Sequence, residues 1–514
     1  MAPVYSRHAR GAGKCDTDSE DEFFDDNLQK RRARWALDAS ARPIKTRKLE
    51  EEPRPYRYDH LYAKGDRRRR NLDPRKSLWW DLIEHPEVGT PGSDKYRKFR
   101  SKFRLPKPLV DKIMAEAQEH APFADKAEGP SHGRGPGRHP LIIKVLAALR
   151  YLGKGVDYDT LEEMAHVSAS LLKKFIPKFI DWYLVTFYPS QVYLPEGEEL
   201  ERNLKVYEKL GTPGAYAETD GTHVAWDACP AGIRARFVGK EGYPTIAFNV
   251  TVTHNKRVIH VAPWCAGAVN DQTQAQHDPL MCDLKLGRIH PEIEYRLYDE
   301  REVLIVHKGL YLIVDNGYHQ WRCCQAPLKH AMSDGAAMWS ERMESIRKAV
   351  ECVFGIMKKR FRILRHAFTL RDPRRIESIF RMCCALHNMI LEHDKLDSIG
   401  RLPGDWLDSR SLAGRIRTER ERTRHVLRGP RNASAGGTIE AGHHALRESL
   451  ITHYTVARRL GRAGWLRTAA DVRPRDPEAL AEVEQRLAEN VDSASEDELV
   501  YLETSNSEAS ADEL

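Results

Sequence analysis

The sequence predicts an all-helical domain followed by an α/β domain, set between charged ends without a core of their own. Three observations predict it. Apolar residues recur at helical spacing from about residue 78 to 200, then gather into strand-like runs from Tyr216 onward. The chain of 514 residues is 41% hydrophobic and 31% charged, which suits a folded centre with polar flanks. Charge is also unevenly placed: residues 28–76 carry 17 Lys/Arg against 7 Asp/Glu, and the segment from Ala481 carries 11 acids against one Arg, although the net charge is only +7. Blocks of one sign suit interaction tails or polyanion contacts.

Several classes are excluded at this level. The 9 cysteines are odd in number and form no CxxC pair, so a reducing compartment is expected in place of a disulfide scaffold. Their spacing fits no zinc finger, and no structural zinc is expected. No apolar run approaches the length of about 18 residues that a spanning helix needs, so no membrane association is expected. The N-terminus has basic residues without an apolar core region and is not read as a secretory signal.

Residues 1–76 read as a disordered arm, acidic and then basic. Its clusters Lys30-Arg31-Arg32, Lys45 with Arg47 and Lys48, and Arg67 to Arg70 suit nuclear import or nucleic-acid contact. Order begins at Leu78-Trp79-Trp80 and continues as a helical domain over 78–200. Leu109, Val110, Ile113, Met114 and Ala117 define one helix, and Leu141 to Arg150 a second that stops at Gly153 and Gly155. Thr160–Ala165, the turn His166-Val167-Ser168 and Ala169–Phe175, ended by Pro177, form a possible helix-turn-helix. The α/β domain spans 210–395. Its strands are predicted at Ala215–Thr219, Thr245–Thr253, Arg257–Ala262 and Gly309–Val314. Helices follow at Ser340–Lys359, with Ser340 at the N-terminus, and at Arg375–Leu391. Residues 396–490 read as a partly helical extension with a helix at Ala445–Leu460, and 491–514 as an acidic, disordered tail.

Three acids stand out by position. Asp220 follows a short strand. Asp315 ends the most apolar strand and precedes Asn316-Gly317. Glu351 lies in a helix between Val350 and Val353, on a face read as partly buried. A carboxylate so placed is costly unless it is paired or bound to a cation. Strand-end acids with a helix acid suit a two-metal site, because Mg²⁺ takes oxygen ligands and two such ions clamp the attacking and leaving oxygens of a phosphodiester.

At these residues the chain resembles the PIF/Harbinger transposases and proteins descended from them. The resemblance is carried by Asp220-Gly-Thr-His223, Gly239-Lys-Glu-Gly-Tyr-Pro-Thr245, Gly267-Ala-Val-Asn-Asp271, Val314-Asp-Asn-Gly-Tyr318, Glu351-Cys-Val-Phe-Gly355, Lys359-Arg-Phe-Arg-Ile-Leu364 and Cys384-Ala-Leu-His-Asn388. It implies an RNase H-like, mixed-sheet nuclease domain of the DDE superfamily with Asp220, Asp315 and Glu351 as catalytic and metal-binding triad. The implied cofactor is Mg²⁺, two ions in number, with Mn²⁺ as a substitute. The implied reaction is cleavage of DNA at element ends and joining of the freed 3′-OH to target DNA. Asp271 is a supporting or replacement acid, and His223, Asn270 and Asn316 are supporting residues around the triad. The resemblance also implies DNA as partner, a separate Myb-like DNA-binding protein, a homo-oligomer and a nuclear location. An alternative of another class is a domesticated, catalytically inactive descendant that binds DNA or acts as a scaffold in the nucleus.

Residues 341–375 carry 11 Lys/Arg against 4 acids. Lys358, Lys359, Arg360, Arg362 and Arg365 form a basic stripe past Glu351 that suits phosphate contact, with Arg236 and Lys240 as further candidates. Arg347 belongs to the same set, but it lies one helical turn before Glu351 and is equally placed to pair with it.

Overall fold

The computed structural model describes residues 73–120, 122–123, 139–396 and 440–463. The N-terminal basic clusters and the acidic tail lie outside these residues. Among the described residues no helix is long and apolar enough to cross a membrane.

A helical region comes first: α1 (Leu78–Glu84), α2 (Asp94–Phe103), α3 (Lys107–Glu119), α4 (Leu141–Lys154), α5 (Tyr158–Ala165), α6 (Ala169–Thr186), α7 (Tyr188–Gln191) and α8 (Glu198–Lys209). Helix α4 buries Leu141, Ile143, Val145, Leu146, Leu149 and Leu152 and is the central rod, because a helix apolar on nearly every side must be enclosed. Gly155, at φ 65°, ends it in the left-handed conformation that favours glycine.

Helix α6 differs from the expectation that Pro177 would end it: it runs on to Thr186. Pro177 removes one backbone donor, at a cost of about 3 kcal/mol. Burial of Phe175, Ile176, Phe179, Ile180, Trp182 and Tyr183 along the continuing helix, each worth about 1.5–3 kcal/mol, outweighs that cost. The preceding helix begins at Tyr158, with Asp157 accepting from the Thr160 amide at 2.7 Å.

A mixed α/β domain with an open sheet follows. Its strands are β1 (Ala215–Ala225), β2 (Thr245–Val252), β3 (Val258–Val261), β4 (Cys265–Ala266), β5 (Glu294–Tyr298), β6 (Leu304–Lys308), β7 (Tyr311–Ile313) and β8 (Cys324–Gln325). The main sheet has the order β3-β2-β1-β7-β8, with β4 also on β2. Strand β1 pairs antiparallel with β2 and parallel with β7, and β7 pairs parallel with β8. Strand β1 is longer than its apolar run, because the Asp220-Gly-Thr-His223 segment is held in register against Phe248 to Val250 and Ala247 of β2. Strands β5 and β6 form a separate antiparallel pair that periodicity did not reveal.

The remaining helices are α9 (Asp271–His277), α10 (Pro279–Lys285), α11 (Asp334–Arg360), α12 (Pro373–His393) and α13 (Ala441–Arg459). Helix α11 starts two turns before the expected Ser340. Ser333 caps it by accepting from the Ala336 amide, while Ser340 lies inside the helix and donates to the Ala336 carbonyl at 2.8 Å. Trp339, fully buried against α13, makes those extra turns worth forming. Asp372 and Pro373 start α12 as N-cap and first helical residue.

One apolar core runs from the helical region onto Val224, Phe248 and Val250 of the sheet and Phe380 and Leu386 of α12. Asn388 stitches this junction: its amide donates to the Gln191 and Val258 carbonyls, both at 2.7 Å, and its oxygen accepts from the Val258 amide at 3.0 Å. A second core, with Leu280, Met281 and Leu312, holds α10 to the sheet.

Candidate active site

Asp220 lies midway along β1 and is half-buried. Its Oδ1 accepts from the Gly221 amide at 2.8 Å and its Oδ2 from Arg347 Nη1 at 3.3 Å. Burial pushes its pKa up to about 6, against the Gly221 amide and Arg347, and the nearby Asp315 and Glu351 charges push the same way as burial.

Glu351 is more open than the partly buried face expected of it. Its side chain is 48% exposed, and its Oε1 lies 2.7 Å from Arg347 Nη1. The reason is the phase of α11, which turns Val350, Val353 and Met357 inward and Glu351 outward. Arg347 also reaches Glu344 at 3.1 Å. Burial disfavours its charge, but Glu351, Glu344 and Asp220 more than offset that and its pKa is raised. As a result Arg347 sits among acids in place of facing a phosphate.

Asp315 stands just past β7, where the main-chain ladder ends and the chain turns. Its Oδ1 accepts from the Gly317 amide at 2.7 Å, an Asx-type turn. Asp271, the first residue of α9, approaches from the other side. A β-carbon at Gly317 would stand 2.6 Å from Asp271 Oδ2 and 2.9 Å from Asp315 Oδ1, so the two carboxylates close on this glycine. Burial raises the Asp271 pKa, and the Asp315 charge adds to the rise.

The acids therefore form two neighbouring pairs. Asp220 and Glu351 share Arg347, while Asp271 and Asp315 flank Gly317. Among the described residues, no three His, Cys, Asp or Glu side chains stand close enough together to hold a metal ion as they are placed. The donor set is all oxygen, which fits a hard cation such as Mg²⁺.

The other predicted residues are placed as follows. Asn270 caps α9, accepting from the Thr273 amide at 2.8 Å. Asn316 is exposed beside Asp315. His223 Nδ1 lies 2.8 Å from Thr245 Oγ1, and burial lowers its pKa with help from Lys240 and Lys358, against Glu241. Lys240 and Lys358 both act on His223, so the β1–β2 loop lies near the end of α11, where Lys358 is half-buried. Lys240, Arg236 and Arg365 are exposed, and Lys359 and Arg362 are half-buried. Arg360 is drawn inward, with Nη1 3.1 Å from His387 Nδ1. Burial and Arg360 hold His387 down to about 3, so it packs as a neutral ring.

Sequence reasoning missed a buried relay beneath the Asp315 turn. Tyr318 donates to Asn249 Oδ1 at 2.6 Å, and Asn249 donates to Asp278 Oδ2 at 2.6 Å. Asp278 caps α10 through the Leu280 amide and lies 3.0 Å from His260 Nε2. The relay ties the Asp315 turn and the α9–α10 junction to β2. Tyr318 alone is marked in the sequence, as the end of a motif; its partners come from three other elements.

Residues 190–397 match a family model described as plant transposon protein. A curated Arabidopsis thaliana protein, "Protein ALP1-like", is 24% identical over 324 residues, covering 61% of this chain and 75% of its own length. No solved structure matches the chain.

Proposed function

We propose that the chain is a PIF/Harbinger-type transposase or a protein derived from one, supported by the plant transposon family match over residues 190–397 and the Arabidopsis thaliana relative, and that it works as a DNA-binding or scaffold protein in the nucleus. The observation that carries this reading is the single guanidinium of Arg347 lying against both Asp220 and Glu351. Those two acids are already partly compensated from within the fold, so a cation entering between them meets a positive charge already in place. DNA would be held by Lys240 and Lys358 near His223, with the exposed Arg236 and Arg365 as further phosphate contacts that need no metal. A Myb-like protein would supply sequence reading.

A second reading, the metal-dependent DNA endonuclease or transposase, is favoured by the Asp271–Asp315 pair. Two like charges closing on Gly317 suit a hard cation, with Asp220 beside them as a further oxygen donor. Mg²⁺ or Mn²⁺ held there would supply countercharge and an activated water. The chain's own part in that reading is to orient these carboxylates and to swing Arg347 away from Asp220 and Glu351. The mixed sheet, antiparallel on one side of β1 and parallel on the other, supports an RNase H-like arrangement for either reading.

DNA bearing the element's terminal repeats, incubated with Mg²⁺ or Mn²⁺ and a Myb-like partner, separates the two. Binding without cleavage, retained by Asp220→Ala, Asp315→Ala and Glu351→Ala, supports the first. Metal-dependent cleavage by the wild type, lost in all three variants, overturns it and establishes the second.

A further inference from the structure

Helix α2 carries Arg97, Lys98, Arg100 and Lys102 and ends at Arg104. Two of these cations meet acids: Arg97 pairs with Asp94, and Arg100 with Asp394 at the end of α12. Around Arg150 of α4 the pattern is the opposite. Arg150 Nη1 donates to the Lys102 carbonyl at 3.0 Å, which brings its guanidinium onto the last turn of α2. Arg104, 7% exposed, ends α2 at φ 62° and lies against α4, where a β-carbon at Gly153 would stand 2.6 Å from its Cγ.

Among the described residues, the charges that act on Lys102 are Arg150 and Lys98, and the charge that acts on Arg150 is Arg104. Burial first, and then these like charges, lower the pKa of both residues. Arg150 Nε is also buried without an acceptor among the described residues. Cations are thus held together where burial already disfavours charge, an arrangement that is costly unless an anion joins it.

The surroundings indicate which anion. Lys98 and Ser101 are exposed, and Lys102 and Arg150 are half-buried, while the apolar residues between them, Phe99, Phe103 and Leu105, are fully buried. A protein partner usually needs an apolar centre to dock on, whereas nucleic-acid interfaces are polar and positive. Guanidinium and ammonium groups beside a hydroxyl match phosphate oxygens. Helix α4 then ends against the turn Arg362–Leu364, where a β-carbon at Gly155 would stand 3.3 Å from the Ile363 amide nitrogen. The exposed Arg365 follows that turn, so the cationic surface leads from the helical region toward the end of α11.

We propose that the α2–α4 junction is a phosphate-binding shelf, in which Lys98, Lys102, Arg104 and Arg150 hold a nucleic-acid backbone apart from the acids of the candidate active site. The proposal rests on the reading of the chain as a DNA-binding protein and adds a second contact region to it.

Binding of the full chain to a duplex of unrelated sequence, measured against salt, tests this. Lys98→Gln with Lys102→Gln is expected to reduce the slope of log K against log salt by about 0.9 for each phosphate released, and to weaken binding by about tenfold at roughly 0.1 M salt. The melting temperature without DNA is expected not to fall, because Lys102→Gln removes a repulsion with Arg150. Lys240→Glu with Lys358→Glu, in the same assay, separates the shelf from the reading beneath it. A slope reduced by that pair but unchanged by Lys98→Gln with Lys102→Gln overturns the shelf and leaves the reading standing. A wild type that binds no duplex overturns both. Polyglutamate probes for a protein partner: its binding lost in the lysine variant, with duplex binding retained, would overturn the proposal in favour of an acidic segment. A lowered melting temperature in the lysine variant would overturn the uncompensated charge on which the shelf is built.

Discussion

Arg347 and Glu351 touch across one turn of helix α11, Nη1 to Oε1 at 2.7 Å, and the same nitrogen reaches Asp220 on β1 at 3.3 Å. A local helix pair is thereby converted into a bridge between helix and sheet. An exposed helix pair alone is worth about 0.3–0.5 kcal/mol. The half-buried contact to Asp220 gives Arg347 a second role, as counter-charge to an acid that is only 18% exposed.

Arg347→Gln should therefore unmask the two acids. Affinity for Mn²⁺, measured by calorimetry or paramagnetic titration, is expected to rise by about tenfold, equal to 1.4 kcal/mol or so. An unchanged affinity would show that Arg347 does not compete with cations.

Asp220 should make stability fall with pH. Its ordinary pKa is 3.8 and its folded value is about 6. Between these values the folded state holds more protons than the unfolded state, so stability is greatest below 3.8, declines as pH rises through the window, and is flat above 6. That difference corresponds to about 2–3 kcal/mol. Asp220→Asn should raise the melting temperature at pH 7 and lose that advantage below pH 4 or so. A gain that is the same at both pH values would contradict this.

Gly317→Ala should disturb the Asp271–Asp315 pair. The added methyl would stand 2.6 Å from Asp271 Oδ2, so a carboxylate must move. Overpacking of this kind costs about 1–3 kcal/mol. Thermal melting should detect the loss, and Asp271→Ala on the same background should recover part of it. Failure of that recovery would place the strain elsewhere.

Lys240 and Lys358 should carry salt-dependent DNA binding. Lys240→Glu with Lys358→Glu is expected to weaken binding to unrelated DNA sequences alike. It should also reduce the slope of log K against log salt by about 0.9 for each phosphate that is no longer neutralised. A weakening confined to one sequence would instead indicate base recognition.

Asn388→Ala removes the partner of the Val258 amide and of two carbonyls inside the junction between helices and sheet. A destabilisation of about 2–4 kcal/mol is expected, read by chemical denaturation. A change under 1 kcal/mol or so would mean that water or Arg257, which also donates to the Gln191 carbonyl, takes over.

The sequence by itself determined the order of the long helices and of strands β1, β2, β3 and β7, because hydrophobic period is a local property, but not the β5–β6 pair or the short α9 and α10. It brought out Asp220, Asp315, Asp271 and Glu351 by their positions in motifs, and it placed Arg347 one turn from Glu351. Tertiary structure decided the rest, and each case has the same cause: the deciding energy comes from residues distant in sequence. The aromatic core carried α6 through Pro177 against its local cost. Trp339, seated against α13, extended α11 past the expected start. The phase of α11 against the sheet exposed Glu351 and brought Arg347 to Asp220. Closure of α9 on the β7 turn set Asp271 beside Asp315. Spacing along the chain fixes which residues share a helix face, but only packing fixes which charges from different elements meet.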